Sequence, residues 1–490
     1  MIKITENLID LARKAEKRLK FKFPYSVEEW VNNKNLLMEN YHKHTTWSDL
    51  VQIDSSTSIE DFIKLSDEYG CKCYFSGEHG YPGEWLHVYN VCNDTKKEDV
   101  RTKLGINNPI TFRYSVEAYW VKDADAVFQE EYEDKKTGEK KVREKKDNTN
   151  CHMVIVARTY NAMRKLNYIL SCAHDTGFYY KPRIDLKSLF TLNKDEVYIT
   201  SACIAGWKYE DATEIWLKIW QHFGDSFFLE YQTHNTPEQK ALNKKIYEIS
   251  KTFGIQTIIG LDTHYINEED RIKRENLLLR KGLHYEDEDG WYMDFPNGVE
   301  TYRRMVEQDC LPKEEILYAM MNTHVFIDGC ENLSYDTDFK IPVHPDYQDY
   351  SYEERSKILH KILTDKFESE DDEHRTEDRR EGMEYEYGEI DGSGTADYFI
   401  DNHSIVDLAI NKYNGKLTTT SRGSASSYYS SKLLGFTTMD RFDAEVPIYP
   451  ERFVTKDRIL SSHQMPDIDY NVASQEPFVQ AARELFGEHG

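Results

Sequence analysis

The sequence predicts an α/β fold, because helical patterns alternate with short apolar runs along the first half of the chain. From residue 59 the helical pattern IEDFIKLSDEYG is followed by CKCYFS, and further on LNKKIYEISKTFG is followed by IQTIIG. The order is reversed where the apolar run HMVIVA precedes NAMRKLNYILSCA. These runs have the length of buried strands. We therefore expect several parallel strands covered by helices.

The composition is that of a folded globular protein. Among 490 residues, 39% are hydrophobic, 13% are aromatic and 30% are charged, which excludes disorder as the main state. The formal charge of -25 excludes a generic basic coat for nucleic acid. The eight cysteines form no CxxC pair, which predicts the reduced thiols of a cytoplasmic protein. Since no apolar run is long enough to span a bilayer, we expect no membrane insertion.

Two strongly charged segments, 129–150 and 365–391, interrupt the alternation. Each is predicted to be a solvated loop or the charged face of a helix, and no chemistry is assigned to either. A second region begins between residues 270 and 345 and is marked by the stretch FKIPVHPDYQDYS. From about residue 352 to 387 its pattern is helical. The chain is therefore expected to contain more than one domain.

Histidines and carboxylates recur where predicted strands end. His42 and His44 form an HxH pair whose imidazoles share a face in an extended segment. A lone HxH is more often a pair of surface histidines, but other metal-competent residues follow the predicted strands CKCYF, SFFLEY and IQTIIGL. They are His79, His234, Asp262 and His264. In α/β barrels the carboxyl ends of the strands build the active-site face, so we expect these residues to converge on one metal site.

Three further residues extend this set. Glu117 lies in VEAYWVKD and Cys203 in YITSACIAG, at comparable positions, although a cysteine taken alone is more often a small buried apolar residue. His152 stands at the start of an apolar run, so the argument from strand ends does not extend to it. Nitrogen and oxygen ligands suit Zn, Mn or Fe, and such ions activate water. The natural reaction for this site is hydrolysis of a phosphate ester.

The second region carries two shorter motifs. Arg422, Gly423 and Ser424 lie between a probable strand, GKLTTTS, and a helical run, so their backbone N–H groups and guanidinium could bind a phosphate. A plain helix cap is the common alternative for such a triplet. In PDIDYN, Asp467 and Asp469 would share one face of a strand, close enough to hold two Mg ions for phosphoryl transfer.

The order HxH, EHG, Glu117, His152, SACxAG, QxH and DxHY resembles the PHP domain, named for polymerase and histidinol phosphatase. The segment HDTGFYYKPRID is similar to the version found in bacterial family C replicative polymerases. The resemblance implies a distorted (β/α)7 barrel that holds Zn, Mn or Fe and acts as a 3′-5′ exonuclease or a phosphatase. The implied metal ligands are His42, His44, Asp54, His79, Glu117, His152, Cys203, His234, Asp262 and His264. Asp49 is the alternative to Asp54, and an outer role is the alternative for His234.

The motifs RGSAS, LLGFT, ERF and PDIDYN follow one another as in the palm of family C DNA polymerases, an α+β nucleotidyltransferase fold like that of polymerase beta. This resemblance implies that Asp467 and Asp469 are catalytic and hold Mg. It implies that the incoming triphosphate is bound by Arg422, Gly423, Ser424 and Arg452. The implied partners are a DNA primer-template, deoxynucleoside triphosphates and a sliding clamp, at the replisome of a bacterium or of a phage-infected cell.

The resemblance divides the chain into an N-terminal helical extension (1–40), a PHP barrel (41–270), a helical connection (271–350) and a partial palm (351–490). The family's thumb, fingers and third catalytic carboxylate would then be supplied in cis or in trans. We therefore expect the N-terminal part of a replicative polymerase. One alternative is a free-standing PHP phosphoesterase or exonuclease whose palm remnant is structural, and another is a non-catalytic assembly module.

Overall fold

The computed structural model describes residues 6–93, 99–133, 138–285, 290–334, 340–418, 422–446, 448–462 and 464–487. The chain forms two compact units, Met1–Ser334 and Tyr335–Gly490. All the strands found in these ranges lie in the first unit. None of the helices in them is both long enough and apolar enough to cross a lipid bilayer.

The first unit is built on a six-stranded sheet with the order β10-β9-β8-β6-β3-β7. Two smaller sheets pair β1 with β2 and β4 with β5. The strands are β1 (Cys73–Phe75), β2 (Thr111–Arg113), β3 (Ser115–Val121), β4 (Val127–Glu133), β5 (Lys140–Lys146), β6 (Cys151–Ala157), β7 (Arg183–Asp185), β8 (Val197–Thr200), β9 (Phe227–Tyr231) and β10 (Gln256–Ile259).

The predicted α/β fold is confirmed, and most of the main sheet is parallel. The pairs β3 with β7, β8 with β9, and β9 with β10 are parallel. The strand β6 is the exception, since it runs antiparallel to both of its neighbours, β3 and β8. Its residues are buried except for the partly exposed His152, as expected for a central strand.

Helices cover this sheet and form most of the second unit. In the first unit they are α1 (Glu6–Glu16), α2 (Val27–Asn32), α3 (Ile59–Tyr69), α4 (Trp85–Asn93), α5 (Asp99–Leu104), α6 (Tyr160–Asp175), α7 (Leu186–Leu189), α8 (Ala212–Phe223), α9 (Pro237–Phe253), α10 (Glu268–Arg280), α11 (Gly298–Glu307), α12 (Lys313–Asn322) and α13 (Val325–Asp328). In the second unit they are α14 (Tyr352–Glu368), α15 (Glu377–Gly392), α16 (Ala396–Tyr413), α17 (Tyr429–Leu433), α18 (Lys456–Ser462) and α19 (Glu476–Phe486).

Local sequence signals set the ends of the helices that lead into the site strands. Ser58 caps α3 by accepting a hydrogen bond from the Asp61 N–H, and Gly70 ends the helix with a φ of 81°. Thr236 caps α9 in the same way, and Gly254 ends it with a φ of 74°. These stops allow β1 and β10 to begin within a few residues. The starting points of both strands are therefore set locally, and the predicted ligands follow at their carboxyl ends.

The stretch 271–350, expected as a helical connection, is divided between the two units. The helices α10 to α13 lie in the first unit, where α12 packs against β10 and α1. The reason is the composition of α12, whose residues Ile316, Leu317, Met320 and Met321 are completely shielded from solvent. Burial of four such side chains stabilises this helix against the sheet.

The charged segment 129–150 was predicted to be a loop or a helix face, but most of its described residues are in strands. In this antiparallel pair β4 lies against β5, with Val127 opposite Lys146, and residues 134–137 lie outside the described residues. The expectation was wrong because charge does not prevent strand pairing when opposite charges face each other across the ladder. Glu130 and Arg143 are such a cross-strand pair.

The second unit is a helical assembly around its own core. Leu363 and Phe367 of α14, Met383 of α15 and Phe399 of α16 belong to one buried cluster. Where this unit is described, β structure is limited to a bridge between Leu417 and Val472. The end of the predicted strand GKLTTTS, residues 419–421, lies outside the described residues.

Candidate metal centre and nucleotide-binding turn

The segments that carry the predicted metal ligands meet at one edge of the main sheet. The HxH segment lies beside the end of β10, where Lys43 forms a parallel bridge with Thr263. His79 follows β1 and forms a parallel bridge with Glu117 of β3. His152 is the second residue of β6, and because β6 runs antiparallel to β3, its start lies at the edge where β3 ends. The reversal of β6 explains how a residue at the start of a strand joins residues at strand ends.

Glu117 lies at the centre of the cluster. Its Oε1 atom is 3.0 Å from His42 Nε2 and 2.9 Å from His152 Nδ1. Its Oε2 atom is 2.7 Å from His79 Nδ1 and 3.3 Å from His44 Nε2. The Glu117 side chain is 1% exposed. One carboxylate therefore reaches four imidazoles, which is the arrangement expected of a bridging ligand in a centre with more than one metal ion.

Asp262 approaches the HxH pair from the segment after β10. Its Oδ1 atom is 3.2 Å from His44 Nε2 and 3.3 Å from His42 Nε2. The backbone of Asp262 has a φ of 48°, in the left-handed region that residues with a side chain rarely adopt. Such a conformation costs about 1–3 kcal/mol and is found most often at functional sites.

Asp54 joins the cluster, whereas Asp49 does not. The Oδ2 atom of Asp54 is 2.6 Å from His79 Nε2 and 2.7 Å from His264 Nε2. Its Oδ1 atom accepts a hydrogen bond of 2.7 Å from the buried guanidinium of Arg274. Asp49 instead accepts a hydrogen bond from the backbone N–H of Asp54 and so holds the turn in place. Of the two aspartates that the sequence left open, Asp54 is the one placed among the histidines.

Cys203 lies at the margin of the cluster. Its Sγ atom is 3.8 Å from Glu117 Oε1 and 3.6 Å from His152 Nδ1. Burial, together with Asp262 and Glu117, holds the pKa of the thiol well above its usual value. Cys203 is thus a protonated thiol in the absence of a cation. It would become a ligand only if a metal ion displaced that proton.

His234 is buried but stands apart from the groups of potential ligands among the described residues. Its Nδ1 atom accepts a hydrogen bond of 3.1 Å from the Tyr292 N–H, and its ring stacks on Trp291 at 4.6 Å. Burial lowers the pKa of His234 to about 4, so the ring is neutral at pH 7. This position matches the outer role that was the alternative for His234.

Several buried atoms that face one another inside the cluster are in ion-pair contact but make no hydrogen bond of good geometry. They are His44 Nε2, His79 Nδ1, Glu117 Oε2 and Asp262 Oδ1. Imidazoles and carboxylates that converge in this way leave their ligand atoms directed at a common space, as a metal site requires. The same residues fall into groups whose ligand atoms lie within 4.8 Å of one another. Imidazole and carboxylate ligands at this spacing fit Zn, Mn or Fe.

The charges of the cluster are strongly coupled. Burial alone would raise the pKa of Glu117, but His152, His42 and His79 outweigh burial and hold that pKa well below its usual value. Burial likewise opposes the charged form of His79, yet Glu117 and Asp54 raise its pKa to about 10. Without a metal ion the carboxylates therefore favour the cationic forms of His42, His44 and His79, whereas burial lowers the pKa of His152.

Side chains behind the HxH pair fix the orientation of both rings. His42 donates from Nδ1 to Glu230 Oε1 at 2.8 Å, which leaves Nε2 facing Glu117. His44 Nδ1 lies 3.2 Å from Ser48 Oγ, and Ser48 in turn donates to Glu78. Outer contacts of this kind set the tautomer and raise the affinity of a histidine for metal.

Glu230 and Arg274 were not predicted from the sequence. Glu230 lies within β9 and is completely buried, where it also accepts hydrogen bonds from Tyr41 and Thr200. A carboxylate inside the apolar run FFLEY was the available signal, because a buried charge needs partners. Arg274 lies on α10, far from any motif, and no pattern in the sequence marks it.

A cavity of about 870 Å³ opens onto the cluster. His79, His152 and His264 form its floor. Its walls include Gln52, Lys208, Tyr285 and Trp291. The cavity is thus large enough for a phosphate ester. Lys208 brings a cation to the side of the cavity where the predicted metal ligands lie.

In the second unit, Gly423 lies directly against Asp469. A Cβ atom added to Gly423 would be 2.2 Å from Asp469 Oδ2, and the φ of Gly423 is 73°. Gly423 is therefore required for two reasons: the left-handed backbone conformation and the close approach of the Asp469 side chain. This contact places the predicted RGS turn and the predicted carboxylate motif side by side.

The other predicted residues of this unit lie at its surface. Asp467 and Asp469 are exposed, while Ile468 between them packs against the core, so the two carboxylates point away from it. Arg422 is exposed and Ser424 is partly exposed at the start of a short 3-10 helix. The exposed Arg452 ends another such helix and lines a separate shallow pocket. The carboxylate motif is extended without being part of a described strand.

Comparison with known proteins assigns both units. The model of the PHP domain matches residues 40–234, and the model of the bacterial DNA polymerase III alpha NTPase domain matches residues 357–490. The chain carries both domains. They stand in the order that the resemblance to family C DNA polymerases indicated.

Relatives within the DNA polymerase III alpha family align over most of the chain. DNA polymerase III subunit alpha of Aquifex aeolicus is 25% identical over 91% of this chain, and that of Borreliella burgdorferi is 24% identical over 91%. A DNA-directed DNA polymerase of Bacillus phage SPbeta is 24% identical over 91%. The aligned part is 37%, 36% and 37% of these three proteins. The chain thus spans little more than a third of their length.

Substitution of Gly423 by alanine tests the contact with Asp469. We expect Gly423→Ala to lower the free energy of unfolding by about 1–2 kcal/mol because of its left-handed backbone, and to displace the Asp469 carboxylate. Gly394→Ala is the matched control, since Gly394 has a φ of 74° with nothing within 4 Å of its added Cβ. Urea denaturation should show similar losses for both variants, whereas only Gly423→Ala should slow primer extension by the completed polymerase. Equal extension rates for the two variants would contradict a role for this contact.

Proposed function

We propose that the PHP unit hydrolyses phosphate esters with a centre of divalent transition-metal ions, and that DNA 3′ ends or small phosphate esters are its substrates. The observation that supports this most strongly is the convergence of buried imidazole and carboxylate atoms from His44, His79, Glu117 and Asp262, which fall into groups of potential ligands within 4.8 Å. So many titratable groups crowded into a buried space are typical of a metal site.

The ligands of this proposal form three overlapping groups. His42, His44, Glu117 and Asp262 would hold one ion, and Glu117 would also reach the ion held by His79 and His152. A further ion would lie between His44, His79 and His264. Bound divalent ions supply an activated water and stabilise the negative charge that develops on the phosphate.

The remaining residues would bind and orient the ester. Lys208 on the cavity wall offers a cation to a phosphate oxygen. Glu230 keeps the Nε2 atom of His42 turned toward the centre, and Arg274 holds Asp54 in the same way. Tyr285 and Trp291 narrow the cavity and exclude part of the solvent.

We further propose that the second unit contributes to template-directed DNA synthesis in a longer polymerase assembly. Asp467 and Asp469 would hold Mg, while Arg422, Gly423, Ser424 and Arg452 would bind the triphosphate of the incoming nucleotide. The contact between Gly423 and Asp469 supports this proposal, because metal and phosphate sites must be adjacent for phosphoryl transfer. DNA, deoxynucleotides and the remaining polymerase portion are the proposed partners, with a sliding clamp bound through that portion.

Metal content provides a direct test of the PHP proposal. Protein purified without chelators should contain about two or three equivalents of Zn, Mn or Fe, because the buried ligand atoms form more than one binding group. Elemental analysis by mass spectrometry measures this content. Removal of the ions should also lower the unfolding temperature, since binding stabilises the folded state. Less than one tightly bound equivalent would refute the metal centre.

A further inference from the structure

The hairpin formed by β4 and β5 has two different faces. One face carries Phe128, Tyr132, Lys141, Arg143 and Lys145, together with Glu130, as the pairing of the two strands shows. Three cations thus accompany two aromatic rings against one carboxylate. The guanidinium of Arg143 lies 5.0 Å from the centre of the Tyr132 ring. Phe128 is 54% exposed, which leaves its ring open to solvent.

The opposite face of the same hairpin has another character. It carries Val127, Gln129, Glu131, Glu133, Lys140, Val142, Glu144 and Lys146. Carboxylates outnumber cations here, and this face has no aromatic ring. The basic and aromatic residues are therefore sorted onto one face, in a chain whose formal charge is -25.

An aromatic loop lies next to the base of the hairpin. Phe178 is 54% exposed and Tyr180 is 71% exposed, and the Tyr179 and Tyr180 rings are 4.7 Å apart. Arg183 joins this loop to the hairpin: it donates to the carbonyl oxygens of Gly177 and Ala124. The loop and the base of the hairpin are thus held together by a buried cation.

Both the hairpin and the aromatic loop lead to the cavity above the histidine and carboxylate cluster. The hairpin leaves β3 and enters β6 at the edge where Glu117 and His152 lie. From the aromatic loop, Lys181 donates to the Gln52 side chain at 3.0 Å, and Gln52 lines the cavity. The surface formed by the basic hairpin face and residues 178–180 therefore ends at the proposed hydrolytic site.

We propose that this surface binds single-stranded DNA and guides its 3′ end toward the metal centre. Cations spaced along a strand contact successive phosphates, and exposed aromatic rings stack with unpaired bases of any sequence. Base pairs in a duplex are already stacked on one another, so exposed rings favour a single strand. The proposed binding is inferred from the residues of this surface alone. Only the delivery of the 3′ end depends on the proposed hydrolysis.

Binding is measured by fluorescence anisotropy of a labelled oligothymidylate with the full chain in EDTA, which prevents hydrolysis. Lys141→Glu should weaken binding at least about fivefold and reduce its salt dependence, because a phosphate contact is lost. Lys140→Glu is the matched control, since it makes the same change of charge on the opposite face. Phe128→Ala should also weaken binding about fivefold or more, whereas Val142→Ala on the opposite face should not. Circular dichroism verifies that each variant is folded.

The outcomes separate this proposal from the function on which it partly depends. If Lys141→Glu and Lys140→Glu weakened oligothymidylate binding equally, the DNA would be attracted by the overall charge of the hairpin and not by one face. This result would overturn the proposal. Tighter binding of duplex DNA than of the single strand, or unchanged binding in both Lys141→Glu and Phe128→Ala, would overturn it as well. If binding behaves as expected but the metal-loaded protein fails to hydrolyse any ester, the proposed hydrolysis fails while the binding surface stands.

Discussion

Combined replacement of His44 and Asp262 by alanine is expected to abolish metal-dependent phosphoesterase activity, with a loss of at least about a thousandfold. The two side chains contribute adjacent buried atoms, His44 Nε2 and Asp262 Oδ1, that lie 3.2 Å apart and belong to one group of potential ligands. Their removal takes two ligands from one ion. Hydrolysis of bis(p-nitrophenyl) phosphate and of a labelled single strand measures the effect.

A matched pair on the surface provides the control. His374 and Asp371 are in contact at 2.7 Å, and their replacement by alanine removes the same two residue types from the second unit. This control should retain full activity. Metal content should fall in the His44→Ala and Asp262→Ala double variant alone. Activity of that variant equal to the parent would assign the hydrolysis to another site or to a contaminant.

Replacement of Asp467 or Asp469 by alanine is expected to reduce DNA synthesis by several orders of magnitude in the polymerase completed with its remaining portion. Loss of a metal ligand removes stabilisation of charge in the transition state and therefore lowers kcat. Primer extension with single-turnover kinetics measures this effect. Arg452→Ala should instead raise KM for the nucleotide, because a contact to the triphosphate exists before and during the reaction.

The exposed Asp457 of α18 offers a carboxylate control in the same unit. Asp457→Ala should leave both kcat and KM close to those of the parent. A rate within tenfold of the parent for either Asp467→Ala or Asp469→Ala would contradict the proposed catalytic role. Unfolding curves of the variants should match the parent, since both aspartates are exposed and removing them leaves no cavity in the core.

Much of the fold and of the metal cluster was predictable because strand ends and ligand motifs coincide. The position of His79 after β1 and of His264 after β10 follows from local pattern alone. The inclusion of His152 did not follow, since strand direction is decided by neighbouring strands that are distant in sequence. The choice between Asp49 and Asp54 likewise needed the geometry of the turn.

Two further features escaped prediction for physical reasons. The role of Glu230 becomes clear only from its partners Tyr41, His42 and Thr200, which come from two other segments of the chain. The hairpin was missed because the alternation of charge across β4 and β5 becomes visible only when the register of the pair is known. In the second unit, the approach of Gly423 to Asp469 joins residues from separate segments, and sequence order alone does not reveal it.

The reversed strand β6 has a consequence for how this molecule tolerates insertions. Glu117 and His152 are held by the ladder between β3 and β6, in which Glu117 lies opposite Val154 and His152 lies opposite Tyr119. The ladder fixes both ends of the chain that connects the two strands. Each doubling of the length of a flexible connection costs only about 0.6 kcal/mol in closure entropy. Residues 122–150 can therefore be lengthened, shortened or exchanged while the distance between the two ligands stays the same.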